Sequence, residues 1–477
     1  MPGGDPGLNP TNSPHAVVAA TTRPSGTLAR LAQITFSLYL VLLLGANSQA
    51  ASGGPLAWWS LWKLPTSGGD WVGVGVVSML PPLSAAAWLA GRARAGSLRA
   101  LVWRPNRVVW PLLALVGLGA LSLVGQCDGG CPVSVGLRVA LIVTHLAWIY
   151  VYTINEHPPP FAIVVVAVLM QATVALGQFF TQGDLGLRFL GELPLDPAEP
   201  GISVVMRGSV RWLRAYGLTA HPNVLGGSLV ALLLVLPVLG RRPTARQRTI
   251  ALLITVIGFA ALFAALARWA AFCFALGLAI NALPALARGG ASRLPPSISR
   301  ATWLALALTG ALLLTIYGDT VIGRATGLET PVENRSLWER SRDTRLALRL
   351  VADQPFTGVG LGQYLPEARR YDAWAEVVHN VPLWLAAELG VAGMLVWLWL
   401  VIAPVARRGA LGQHAPLTAL WLSFWLSGLL QPSPHPLLDL RSALLAGLVA
   451  ALMARSLSPR ADLPELRASD NIADWAS

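Results

Sequence analysis

The sequence predicts an all-α fold, a polytopic bundle of about twelve membrane-spanning helices. Three observations predict it. Hydrophobic residues make up 54% of the chain and charged residues 12%, against roughly 25% charged residues in a soluble domain. Apolar runs of about 17–25 residues, each long enough to cross a bilayer, recur from end to end. Arginine gathers in alternate short connections, the pattern that sets orientation in a membrane.

The elements follow in chain order. Residues 1–29 are polar and rich in Pro and Gly, and are expected to be a disordered cytoplasmic segment. No cleavable signal peptide is expected, because the first apolar run is itself long enough to span. Spans are predicted at 30–48, 71–90, 107–125, 134–153, 161–181, 222–240, 248–266, 269–287, 302–318, 381–403, 415–431 and 438–454. Together they make a transmembrane domain over 30–454, followed by a cytoplasmic tail over 455–477.

The second span is followed by Arg92, Arg94, Arg99, Arg104 and Arg107, and the sixth by Arg241, Arg242, Arg246 and Arg248. Arg288, Arg293 and Arg300 follow the eighth, and Arg407 and Arg408 the tenth. Short connections after odd-numbered spans carry almost no positive charge, with Lys63 and Arg268 the exceptions. Both termini are therefore expected in the cytoplasm. The net charge of +12 records this bias, so no nucleic-acid partner is expected. Cys127 and Cys131, in QCDGGCP, fall in an outward connection where a disulfide can form; the sequence leaves their pairing open.

Two outward segments are long, Gln182–Ala220 and Gly318–Val378. In VVMRGSVRWLRAYG the spacing of Arg207, Arg211 and Arg214 predicts one face of an interfacial helix. Snorkelling toward lipid headgroups would use the same arrangement. In the second segment, ENRSLWERSRDTRLALRL holds Arg335, Arg340, Arg342, Arg345 and Arg349, with Leu337, Trp338, Leu346 and Leu350 as apolar anchors of a predicted amphipathic helix. The TGVGLG that follows reads as tight turns, since no strand and helix flank it as in a dinucleotide loop.

Arg268 interrupts an apolar run at the outward edge, where charge is expensive and tends to be functional or paired. Three histidines lie at that edge: His221, His379 and His435. Only His379 follows a long arginine-bearing loop, whereas His221-Pro222-Asn223 reads as a helix start. Glu388 lies deeper and is expected to support the fold. Outward acids such as Asp319, Asp343, Asp353 and Glu367 are scattered without a DxD pair, so no metal or cofactor is expected.

The segments GLTAHPNVLGG, LARWAAF, RSLW…DQPFTGVGLGQY and HNVPLWLAAELGVAG resemble the O-antigen ligase and O-antigen polymerase family. The resemblance runs over about 207–400, including the outward loop 318–378. It implies a metal-independent glycosyltransferase of the bacterial inner membrane, with its active site facing outward. The donor would be an undecaprenyl-diphosphate-linked glycan, the acceptor a lipid or a glycan, and membrane lipids the surroundings. His379 corresponds to the family's catalytic histidine, and Arg268, Arg335 and Arg214 to its diphosphate-binding arginines. Ala267 departs from the family pattern, which has serine there. A polymerase differs from a ligase only in its acceptor. A transporter is the alternative of another class; it would favour broken helices with polar sites at the bilayer midplane, whereas here the spans read as continuous and the charges crowd the outer edge.

Overall fold

The computed structural model describes residues 26–45, 60–65, 71–98, 101, 107–126, 133–156, 159–239, 244–286, 300–326, 331–406, 410–412 and 414–457. Cys127 and Cys131 lie outside the described residues, as do most of both predicted tails. Helix α1 (Thr27–Gly45) is followed by a hairpin of β1 (Ser60–Pro65) and β2 (Trp71–Gly75). Then come α2 (Val76–Arg94), α3 (Val109–Gly125), α4 (Val133–Asn155) and α5 (Phe161–Thr181). A second hairpin, β3 (Val204–Arg207) and β4 (Val210–Leu213), precedes α6 (Pro222–Leu239), α7 (Ala245–Ala264), α8 (Arg268–Leu286) and α9 (Arg300–Thr326). The chain ends with α10 (Pro331–Asp353), α11 (Tyr364–Tyr371), α12 (Val381–Ile402), α13 (Ala415–Ser427) and α14 (Leu440–Leu457).

The protein is mostly helical. Each predicted span falls on a helix, and among the described residues six helices are both long and apolar enough to cross a membrane: those within α4, α5, α6, α7, α9 and α12. The second predicted span begins five residues late, because 71–75 pair as a strand with 60–65. The long loop after α9 does carry helices, α10 and α11, although α9 itself runs on to Thr326. Small residues bring helices close, as a bundle without a hydrophobic drive between helices requires. At Gly226 on α6, a Cβ would sit 2.7 Å from the Ala270 Cβ of α8.

Hydrogen bonds between helix ends show how the chain alternates. At one end of the bundle, Arg92 near the close of α2 pairs with Glu156 just past α4 at 2.9 Å. Arg455, near the close of α14, donates to the Thr153 and Ile154 carbonyls of α4 at 2.9 and 3.0 Å. At the other end meet the start of α6, the α7–α8 turn, the start of α12 and the close of α13.

Two local expectations are overturned. The segment 204–213 is a β-hairpin, so Arg207, Arg211 and Arg214 do not share a helix face. Val204, Val205 and Val210 are β-branched and favour strands, and Gly208, with φ +61°, supplies the positive φ that a two-residue turn needs. The register, with Arg207 opposite Val210 and Arg211 opposite Met206, then sends Arg207 and Arg211 to opposite faces. The last helix before the C-terminal pair is also not continuous. Gly390 inside α12 has φ 71° and ψ −179°, which breaks the helix. The backbone groups this frees are taken up by the glycine loop: Val359 N donates to Ala387 O (2.8 Å), Gly360 N to Glu388 O (3.0 Å) and Val391 N to Pro355 O (2.8 Å). That accounting is obligatory for buried backbone. Gly358, Gly360 and Gly362 all have positive φ, as tight turns require. A Cβ on Gly358 or Gly390 would lie 2.3 Å from backbone atoms of the other segment.

Candidate functional site

His379 ends the strap that leads from α11 to α12. The strap is held from outside the helix it enters. Arg342 donates to the Asp343 carboxylate through Nε (2.9 Å) and a terminal nitrogen (2.8 Å), with both residues buried. The same carboxylate oxygen accepts from Glu376 N at 3.2 Å. Tyr364 donates its hydroxyl to the Asp343 carbonyl at 3.1 Å, and its N–H goes to Glu388 Oε1 at 3.2 Å. Ala375 and Val378 pack into the small core beneath, with Ala347 and Leu350 of α10.

Asn380 is the helix cap here. Its Oδ1 accepts from Leu383 N at 2.8 Å and its Nδ2 donates to Leu429 O at 3.0 Å. Val381 N donates to Gly428 O at 2.7 Å. His379 is therefore not needed as a cap. Its Nδ1 is buried without a hydrogen bond of normal geometry. Burial, and then the charge of Arg340, push its pKa down to about 4, with the Val377 backbone acting against them. The ring is neutral at pH 7.

The other two edge histidines have their Nδ1 engaged by backbone N–H groups, while His435 Nε2, like His379 Nδ1, is buried without a hydrogen bond of normal geometry. His221 Nδ1 accepts from Asn223 N at 3.1 Å, so a neutral ring carries its proton on Nε2, 2.9 Å from Ser203 Oγ. That tautomer donates to Ser203 and leaves the hydroxyl without a base. The pair is not a nucleophilic dyad. His435 Nδ1 accepts from Leu437 N and Leu438 N at 3.3 and 3.1 Å, which fixes the turn into α14.

Arg268 opens α8 after a turn in which Leu266 adopts φ 47°, a left-handed conformation rare for a branched side chain. Arg214 holds that turn. It is buried, its Nε donates to Ala265 O at 3.0 Å and a terminal nitrogen to Asn223 Oδ1 at 2.7 Å. Ala215 N donates to Ala264 O at 3.0 Å. Next to Arg268, Trp269 donates its Nε1 to Leu426 O at 2.9 Å. Leu426 sits in the last turn of α13, three residues before Leu429, which receives Asn380. The two helix starts carrying Arg268 and His379 are thus docked on the same helix end.

No protein-family model matches the chain, and no curated protein is similar enough to it to serve as a relative. The site rests on its own geometry.

Of the four residues the sequence singled out, three come to this end of the bundle. His379 and Arg268 flank the α13 terminus, and Arg214 braces the turn that carries Arg268. Arg335 stands apart: its side chain is 79% exposed and paired with Glu339 at 2.7 Å, and the hydrogen bond and charge of Glu339 raise its pKa. Sequence reasoning gave no special weight to Arg340, the arginine whose charge acts on His379. Its signal was helical: Arg340, Asp343 and Ala347 stand at i, i+3 and i+7 on one face, and the latter two are buried. Also missed were Gln178 and Glu192. Gln178 Oε1 accepts from Tyr216 N and Gly217 N, and its Nε2 donates to buried Glu192 at 2.8 Å, tying the loop after the hairpin to α5. Among the described residues no three His, Cys, Asp or Glu side chains converge as a metal site would need.

Proposed function

We propose that this protein is a membrane glycosyltransferase of the O-antigen ligase type. In this reading twelve spans cross the bacterial inner membrane, both termini are cytoplasmic, and the α12 start faces outward. The reaction moves a glycan from undecaprenyl diphosphate to an acceptor hydroxyl. The acceptor oxygen attacks the anomeric carbon, the sugar–phosphate bond breaks, and its electron pair leaves with the diphosphate. The acceptor's proton passes to His379; with Nδ1 buried, Nε2 takes it.

The observation that carries the reading is the common docking of Trp269 and Asn380 on the α13 terminus. It supports a neutral imidazole and a guanidinium working at one place. Diphosphate is already a good leaving group, so charge stabilisation matters more than a strong acid. Arginine suits phosphate because its planar fork binds two oxygens and keeps its charge. A base near pKa 4 is weak in the free enzyme. A bound diphosphate supplies the negative charge that raises it toward the working pH.

The break in α12 favours a second reading, transport, because transporters bind substrates at discontinuous helices. Here the freed backbone groups are already bonded to residues 355–360, so they are not presented to a ligand. Ligase and polymerase share this chemistry; a ladder of repeats on the product marks the polymerase.

The test is transfer by the purified protein in liposomes from an undecaprenyl diphosphate donor. His379→Asn should lose about 10²–10⁴-fold in rate while donor binding persists. Activity within a few-fold of wild type would reject the base assignment.

A further inference from the structure

We infer that Arg207 is the residue of the β3–β4 hairpin that grips phosphate, binding the diphosphate of a polyprenyl-linked donor, while Arg214 serves only to position the turn of Arg268. This rests on the donor class proposed above.

The two arginines are used in opposite ways. Arg214 spends its guanidinium on Ala265 O and Asn223 Oδ1 inside the protein. Arg207 is half-buried, and its guanidinium carbon lies 4.9 Å from the Trp212 ring centroid and 5.7 Å from that of Tyr317. The register explains the first contact, since Val205 pairs with Trp212 and Arg207 with Val210, putting Arg207 and Trp212 on one face of the hairpin. Among the described residues no carboxylate lies within ion-pair distance of Arg207. Stacking occupies the flat face of a guanidinium and leaves the N–H donors on its edge pointing outward. Those donors match two phosphate oxygens at once. Aromatic walls exclude water, which strengthens the attraction to an anion.

The surroundings say what kind of anion. Tyr317 packs against Phe179 and Phe263, at 5.1 and 6.3 Å between ring centroids. Phe263 lies in the last turn of α7, directly before the turn that presents Arg268. Tyr317 also marks a kink in α9. Along α9, Leu304, Leu308, Leu312 and Ile316 repeat every four residues, and each is more than half exposed. That apolar stripe ends beside Tyr317. A long lipid tail lying along it would bring its phosphate head to Arg207.

A phospholipid headgroup offers the same phosphate chemistry, so the experiment separates the two sources. The full chain is placed in phosphatidylcholine nanodiscs, and binding of labelled undecaprenyl diphosphate is measured without acceptor. Arg207→Ala and Arg207→Gln should each weaken binding by about ten- to hundredfold, the effect of losing a charged hydrogen-bond donor. Arg207→Lys should recover only part of it. Added phosphatidylglycerol should not displace the probe. Unchanged affinity in Arg207→Gln, whose amide chain still packs on Trp212, overturns the inference even if Arg207→Ala folds poorly. Displacement by phosphatidylglycerol at equal concentration overturns it in favour of a headgroup anchor. A wild type that binds no undecaprenyl diphosphate refutes the transferase reading itself. A wild type that binds it no better than Arg207→Gln refutes this inference alone.

Discussion

At His379 two effects act in the same direction. Burial disfavours the charged ring, and Arg340 repels it, so the pKa falls to about 4. The pH profile of kcat/KM, which reports free enzyme, should keep a flat plateau from pH 8 down to about pH 5. In the proposed reaction the limb of kcat should lie higher, because a bound diphosphate would favour the imidazolium. Arg340→Ala removes the like charge, so its kcat/KM limb should move up toward the ordinary value of about 6.5. Coincident limbs in wild type and Arg340→Ala would exclude this coupling. The stability sign follows from the same shift. The folded state holds His379 below its unfolded pKa, so its contribution is complete above about pH 6.5 and is lost as pH falls toward about 4. Arg335→Ala, which breaks only an exposed pair with Glu339, should melt as wild type does.

The element with the most specific chemistry is the joint between α12 and the glycine loop. Gly358 and Gly390 meet backbone to backbone, and both have positive φ. Gly390→Ala would force a Cβ to 2.3 Å from Phe356 O, so the loop must withdraw or the helix must straighten. Either change releases the Val391–Pro355 bond and disturbs Glu388, which holds Tyr364 N. The expected loss is about 1–3 kcal/mol for each substitution, read as a lower melting temperature together with lower transfer. Gly117→Ala in α3, where nothing lies within 4 Å, should melt as wild type does. Equal melting of Gly358→Ala, Gly390→Ala and Gly117→Ala would remove the joint as a structural constraint. The cap at Asn380 is a separate device, and Asn380→Ala should cost about 1 kcal/mol while also loosening α13 through Leu429.

For the whole molecule, the alternation of helix ends makes one topological demand. Arg92, Glu156 and Arg455 meet at the end opposite to His379 and Arg268. Reporter fusions at Gly96 and Ala410 should therefore report the cytoplasm, and fusions at Asp196 and Arg370 the outside, as the arginine bias requires. An outward signal at Gly96 would invert the chain and place His379 on the side away from a lipid-linked donor.

Composition and period were enough to give the helical class and the helix positions, because a backbone in lipid must bond to itself and only a long apolar helix does so simply. The sequence also marked His379 and Arg268, since charge and imidazole at a membrane edge stand out against an apolar background. Partnership was not legible. Arg207, Arg211 and Arg214 look equivalent at i, i+4 and i+7, yet one stacks on aromatic rings, one donates to the Pro197 and Glu199 carbonyls, and one braces a turn. The i, i+4, i+7 spacing of these arginines suits a helix, but three valines and a glycine favour the hairpin, which packs against α9. Likewise, Gly390 in an apolar run is an ordinary transmembrane residue until the loop at residues 355–360 supplies the hydrogen bonds that let the helix break there. Local sequence fixes what a segment prefers; which of several near-equal options is taken depends on the partner that satisfies its polar groups, and that partner is known only from the tertiary structure.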